Sequence, residues 1–107
     1  MALTPFTTAT LSSLTAAGTT DSLKVNAEAI SFQITVSSIG TNVVVRFEGS
    51  LDGINFANLD EDATDTTITA NGTTIYSLSG TPVEHVRLRL VSLSGGTPTV
   101  STVVGAL

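Results

Sequence analysis

Cysteine and tryptophan are absent from the 107 residues, and there are only 3 prolines, 1 histidine and 4 basic side chains. Without cysteine there is no disulfide framework, no thiolate nucleophile and no zinc–thiolate site. A domain of this length must then fold on its own core or be stabilised by packing into an assembly. The basic residues, Lys24, Arg46, Arg87 and Arg89, are scattered through a chain of net charge −5. Phosphate recognition needs clustered positive charge, so nucleic acid is not an expected partner. No apolar run approaches the roughly 20 residues that span a bilayer, so no membrane contact is expected either. Met1 to Leu14 lacks the basic start and long apolar block of a signal peptide, and export by that route is not expected.

What the chain does have is hydroxyls and β-branched side chains. Thr occurs 19 times, Ser 12, Val 11 and Ile 6, while 41% of residues are apolar and 12% charged. That balance is too apolar for a disordered chain. A branched Cβ restricts χ1 and suits a pleated surface, so the composition predicts one all-β domain. One core at this size buries roughly two thirds of the unfolded surface, which leaves no room for a cofactor domain.

The pattern along the chain divides at residue 22. Residues 1–22 are Thr-rich, with Phe6, Leu11 and Leu14 as large apolar positions, and read either as a first sandwich strand or as an arm docked on a neighbouring subunit. Residues 23–107 read as the sandwich domain. Ile30, Phe32, Ile34 and Val36 alternate with polar residues, Val43, Val45 and Phe47 alternate with Val44, Arg46 and Glu48, and period two buries one face of a strand. With Gly40 and Asn42 between them, these runs predict a hairpin. Asp52-Gly53 and Asn71-Gly72 are further turn signals, the latter predicting a hairpin between 66–70 and 73–79. A short strand is expected over 54–59. Val86, Leu88 and Leu90 make another half-buried strand, and Gly95-Gly96 turns the chain into a last one. The sum is a single antiparallel β-sandwich, Ig-like or jelly-roll, of about seven to nine short strands with an extended N-terminal segment and no helix.

Two segments carry a resemblance. Arg46-Phe47-Glu48-Gly49-Ser50-Leu51-Asp52-Gly53-Ile54-Asn55-Phe56 looks like a strand followed by an S-x-DG-x-N-aromatic turn, and Pro82 to Leu90 like a late strand with arginine between apolar residues. Together they resemble small β-sandwich modules of bacteriophage virions, in particular head decoration (cement) proteins, and more remotely discoidin-like jelly rolls. Size, acidity, Thr richness and lack of cysteine belong to the same resemblance. It implies a virion protein on the capsid surface, assembled in the host cytoplasm, with the major capsid protein or other virion subunits as partners and a homo-oligomer, a trimer, as the working form.

Candidate sites are few. Asp60, Asp62 and Asp65, with Glu61 between, are the candidate Ca²⁺ ligands, but their spacing lacks the glycine and distal glutamate of an EF-hand loop and reads better as a solvated loop. His85 shares its strand phase with Arg87 and Arg89 and has Glu84 only as a sequence neighbour, which places the two on opposite faces. No nucleophile-elbow sequence is present. No enzymatic activity and no cofactor are therefore expected. Arg87 and Arg89 offer either cross-strand pairing with Glu48 and Glu84 or docking to a partner's carboxylates. Phe6 and Leu11 are the expected intersubunit contacts of the arm. The alternatives to a decoration protein are a carbohydrate-binding module, weakened by the missing tryptophan, and a tail or fibre component.

Overall fold

The computed structural model describes residues 7–59 and 64–106, with the side chains at 7, 26–28 and 79–82 outside that description. Among the described residues every element is a strand: β1 (Thr7–Thr10), β2 (Gly18–Thr19), β3 (Leu23–Ser50), β4 (Ala57–Asn58), β5 (Thr66–Ile68) and β6 (Gly72–Ala106). The all-β antiparallel class expected from the β-branched composition is the class observed.

β6 has 35 residues. Drawn straight at about 3.3 Å per residue it would reach roughly 115 Å, whereas the molecule's longest dimension is 38 Å. β3 and β6 must therefore bend, and they bend together. Residues 42–50 pair with 85–94, and residues 30–39 continue the same antiparallel ladder with 96–106. At the corner Ser38 has φ 55°, and Gly95 and Gly96 have φ 69° and 62°. A Cβ on Gly40 would overlap the Gly95 carbonyl carbon and the Gly96 nitrogen, so the bare glycine lets the two backbones cross in contact.

The bend folds one hydrogen-bonded sheet into two layers. The first layer runs, strand by strand, through 72–79, 29–37, 99–106 and β1. The second runs from β4 and β5 through 42–50 and 83–94 to the flank formed by β2 and 23–27. Between them lie Ile30, Phe32, Ile34 and Val36, facing Val43, Val45 and Phe47, with Val86, Leu88, Leu90, Val100 and Val104 filling the remainder. Phe32 and Phe47 come from the two halves of one strand, yet their rings meet at 4.8 Å between centroids. Tyr76 adds a third ring 5.3 Å from Phe47. The expected β-sandwich is present.

Its connections differ from those the turn signals predict. The runs 29–37 and 43–48 are not partners in a hairpin but successive halves of β3, one in each layer. The segments flanking Asn71-Gly72 do not pair either, because β5 joins 43–45 in the second layer and 72–79 joins 29–36 in the first. Asn71 Oδ1 accepts a hydrogen bond from the Ile39 backbone N–H (2.9 Å), which pins this crossover to the same corner. The strand expected over 54–59 is reduced to β4.

Of the two readings of the N-terminal segment, the described part takes the first-strand one. β1 is an edge strand on 103–106 of its own chain, and β2 pairs with Arg89 and Leu90, so both belong to the sandwich. Leu11 is only 4% exposed, and its N–H donates to the Thr102 carbonyl. It fills this chain's own core and is not available to a neighbour. Phe6 lies outside the described residues.

Candidate functional site

The antiparallel register sets Arg46 opposite Arg89 and Glu48 opposite Arg87 on the outer face of the second layer. Three guanidinium groups at neighbouring positions would repel, and Glu48 resolves the conflict. Arg87 Nε donates to Glu48 Oε1 at 2.8 Å and Arg89 Nε to Oε2 at 3.0 Å, with Arg46 Nη1 3.9 Å from Oε2. The outward phase predicts a wet side chain, but the arginines cover Glu48 and leave it 3% exposed. Burial on its own would push the Glu48 carboxyl up, but the hydrogen bonds from Arg87 and Arg89 outweigh it and hold the group below the usual glutamate range. The Arg87 guanidinium also stacks on the Phe56 ring at 3.9 Å.

Arg46 makes a two-pronged contact with Asp65, Nε to Oδ1 at 2.8 Å and Nη2 to Oδ2 at 3.1 Å, which lowers the Asp65 pKa. Asp65, a candidate Ca²⁺ ligand, is thus an arginine partner; Asp60 and Asp62 lie outside the described residues. Lys24 pairs with Glu84 at 3.3 Å. All four basic side chains are therefore engaged with carboxylates of the same chain. Arg87 and Arg89 are brought together, with the Nε of each on the Glu48 carboxylate. His85 lies against the Gly53 backbone in register with Ser50, with Glu84 3.9 Å from its Nε2.

The turn after β3 is tightly organised. Asp52 Oδ1 accepts from the backbone N–H of Ile54 and of Asn55, both at 2.8 Å, and from the Ser50 hydroxyl, while Oδ2 accepts from the Asn55 amide at 2.9 Å. The N–H of Asn55, then that of Ile54, then the Asn55 amide and the Ser50 hydroxyl hold the Asp52 carboxyl well below the usual aspartate range. This turn chemistry, with Gly53 at φ 77°, holds Leu51 and Ile54 in solvent. Leu51 lines an open cavity of about 410 Å³ together with Ala57, Leu59 and Val83 among others.

The outer face of the first layer has the opposite character. Register aligns Thr8, Gly105, Ser31 and Ser77 in one row across the strands, and Thr10, Val103, Gln33 and Ile75 in the next. Ser101, Thr35 and Thr73 follow, then Thr99 and Ser37. None of these positions is charged. Hydroxyls bond across the strands, Ser31 to Ser77 at 3.1 Å and Thr35 to Thr73 at 2.9 Å, while Ser13 meets Ser101 at 3.3 Å. Because Gly105 has no side chain, a depression of about 260 Å³ opens over it, walled by Thr8, Ser31, Gln33, Ile75 and Val103. Ile75 stands 61% exposed on this face. Alternation in the sequence marks each of these residues as outward-facing. Only the register, which depends on pairings across the whole chain, shows that they assemble into one uncharged surface.

No family model matches the chain, and no curated protein matches it. Among solved structures, the crystal structure of the SPBc2 prophage-derived protein YomS is similar over 99% of this chain and 99% of that one, with a TM-score of 0.61 and 13% identity. A structure from Bacillus endospore appendages, described as disulfide-linked pili, covers 100% of this chain and 95% of its own at 11% identity, but its TM-score of 0.40 is too low to carry an argument. The chain thus shares its fold, along its whole length, with a prophage-derived protein of strongly diverged sequence.

Proposed function

We propose that this protein is a non-enzymatic structural component of a phage particle, a capsid decoration protein that docks on the shell through the uncharged outer face of the first layer. The observation that carries the reading is the segregation of charge: arginines and carboxylates are paired on the second layer, and the four-strand face of the first has none. Depletion of charge marks the core of protein interfaces, because a charged group left unpaired on binding is costly to desolvate. Small hydroxyls and Gln33 offer hydrogen bonds, and serine and threonine lose little rotamer freedom in making them. The prophage origin of the protein with the same fold supports a place in a particle. Docking stabilises the shell by mass action, since the contacts exist only in the assembled state.

A carbohydrate module would need an exposed aromatic platform. Among the described aromatics, Phe32 and Phe47 are buried, Tyr76 packs against Phe47, and Phe56 lies under Arg87. A tail or fibre component would use the same uncharged face on a different shell.

The test is to place charge on the face. Gln33→Lys together with Thr99→Lys, two positions on this face that are not cross-strand partners, should reduce co-sedimentation with particles assembled without this protein by at least about tenfold, the equivalent of roughly 1.4 kcal/mol, while circular dichroism stays unchanged. Ser92→Lys, on the outer face of the second layer, should bind as wild type does. Full-strength binding by the doubly charged face would sink the reading.

A further inference from the structure

The run 72–79 forms one edge of the first layer. Among the described residues it hydrogen-bonds on one side only, to 29–36. Sheet edges are ordinarily protected by charged side chains, proline, bulges or a covering segment, because their free N–H and C=O groups template pairing with another strand. The second layer follows that habit: Arg46 and Asp65 pair at the Thr66 end of β5, and Lys24 pairs with Glu84 at the opposite flank. Residues 72–79 read Gly-Thr-Thr-Ile-Tyr-Ser-Leu-Ser, with neither charge nor proline. Thr73, Thr74 and Ile75 are all exposed, so both faces of the strand are open at this point. A chain of net charge −5 ordinarily repels its copies. No described charged side chain lies on this edge or on the face beside it, so a second copy meets no like charge there.

We propose that two copies of this chain pair antiparallel along 72–79 about a two-fold axis at Ile75, joining their first layers into one continuous sheet. The choice of occupant follows from self-complementarity. With the axis at Ile75, Thr73 of each copy lies opposite Ser77 of the other, and the two Ile75 side chains lie directly opposite on the outer face. Small hydroxyls already bond across strands at these two positions within the chain, Thr73 to Thr35 and Ser77 to Ser31. The isoleucine pair covers the large apolar side chain that the face exposes. A register shifted by two residues would leave each Ile75 against a hydroxyl. A two-fold contact of this kind is closed: each copy uses its edge once, and no filament follows. The pairing also unites two uncharged faces into one surface, but it does not depend on a shell being their target.

Molar mass by light scattering after size exclusion reads the proposal directly. The wild-type chain is expected at twice its 10.9 kDa, and Ile75→Lys at the mass of a single chain with an unchanged circular dichroism spectrum. Because the chain has no cysteine, Ile75→Cys provides a single reporting thiol. Cross-strand Cβ atoms lie about 4.5–5.5 Å apart, close to the roughly 3.5–4.5 Å of a disulfide. Oxidation should therefore cross-link Ile75→Cys at least about tenfold faster than Ser94→Cys, an exposed control outside the edge. A wild-type monomer, a trimer, a dimer that survives Ile75→Lys, or equal cross-linking of the two cysteine variants would each overturn the pairing. A wild-type protein that is dimeric but does not co-sediment with particles would contradict the docking proposal and leave this one standing.

Discussion

Glu48 occupies a position where alternation predicts a solvated carboxylate, yet three arginines close over it. Period-two reasoning assigns a side chain to a face but does not see what other side chains later cover that face. Removing one member of a buried ion pair leaves the others uncompensated, so Glu48→Ala is expected to lower stability by about 3 kcal/mol. That is the low end for such pairs, because the arginines keep contact with water. Its titration has a definite sign. The folded carboxyl is held below its unfolded value, so its stabilisation is complete above the ordinary glutamate range, about pH 4.3, and is lost as pH falls further. The urea midpoint should accordingly drop more steeply below that pH in wild type than in Glu48→Ala; parallel profiles would remove Glu48 from the account. Thr20 is a second residue whose role alternation misses. Its N–H donates to the Leu88 carbonyl, and its hydroxyl, standing in for a backbone carbonyl, accepts from the Leu88 N–H at 3.0 Å.

At the scale of elements, the corner where β3 and β6 bend decides the architecture. Gly40 crosses Gly95 and Gly96 in backbone contact, with Asn71 holding Ile39 beside them. Gly40→Ala forces an overlap with main chain that no side-chain rotation relieves, and a loss of about 2–3 kcal/mol is expected. It should appear as a lower urea midpoint at unchanged slope; a midpoint equal to wild type would show that the corner yields. The same corner explains which part of the fold is legible in the sequence. Ile30, Phe32, Ile34, Val43, Val45, Phe47, Val86, Leu88 and Leu90 are read correctly as core, because alternation is local and survives any choice of strand partner. The partners are not legible. Gly40, Asn71-Gly72 and Gly95-Gly96 carry the same turn chemistry whether the chain doubles back beside itself or crosses to the other layer. What separates the two outcomes is pairing between residues as distant as Ile30 and Ala106. Likewise Leu11 looks like an arm residue until β6 supplies the strand beside it.

For the molecule as a whole, the two outer surfaces have been given different work by the register. One layer gathers arginines and carboxylates into a closed network that keeps its face hydrated. The other gathers threonine, serine, Gln33, Ile75 and Val103 into a surface without charge. The Asp52 turn, with Leu51 and Ile54 exposed, belongs to the charged side and is held rigid by its own hydrogen bonds. The proposed docking through the uncharged face would leave the charged layer toward solvent.

Amide hydrogen exchange on the particle-bound protein, compared with the free protein, tests that claim most directly. Slowed exchange is expected over 31–37, 73–77 and 99–105, with 44–48 and 85–92 unchanged. Protection concentrated on 44–48 and 85–92, or at the Asp52 turn, with the first layer unchanged, would contradict it.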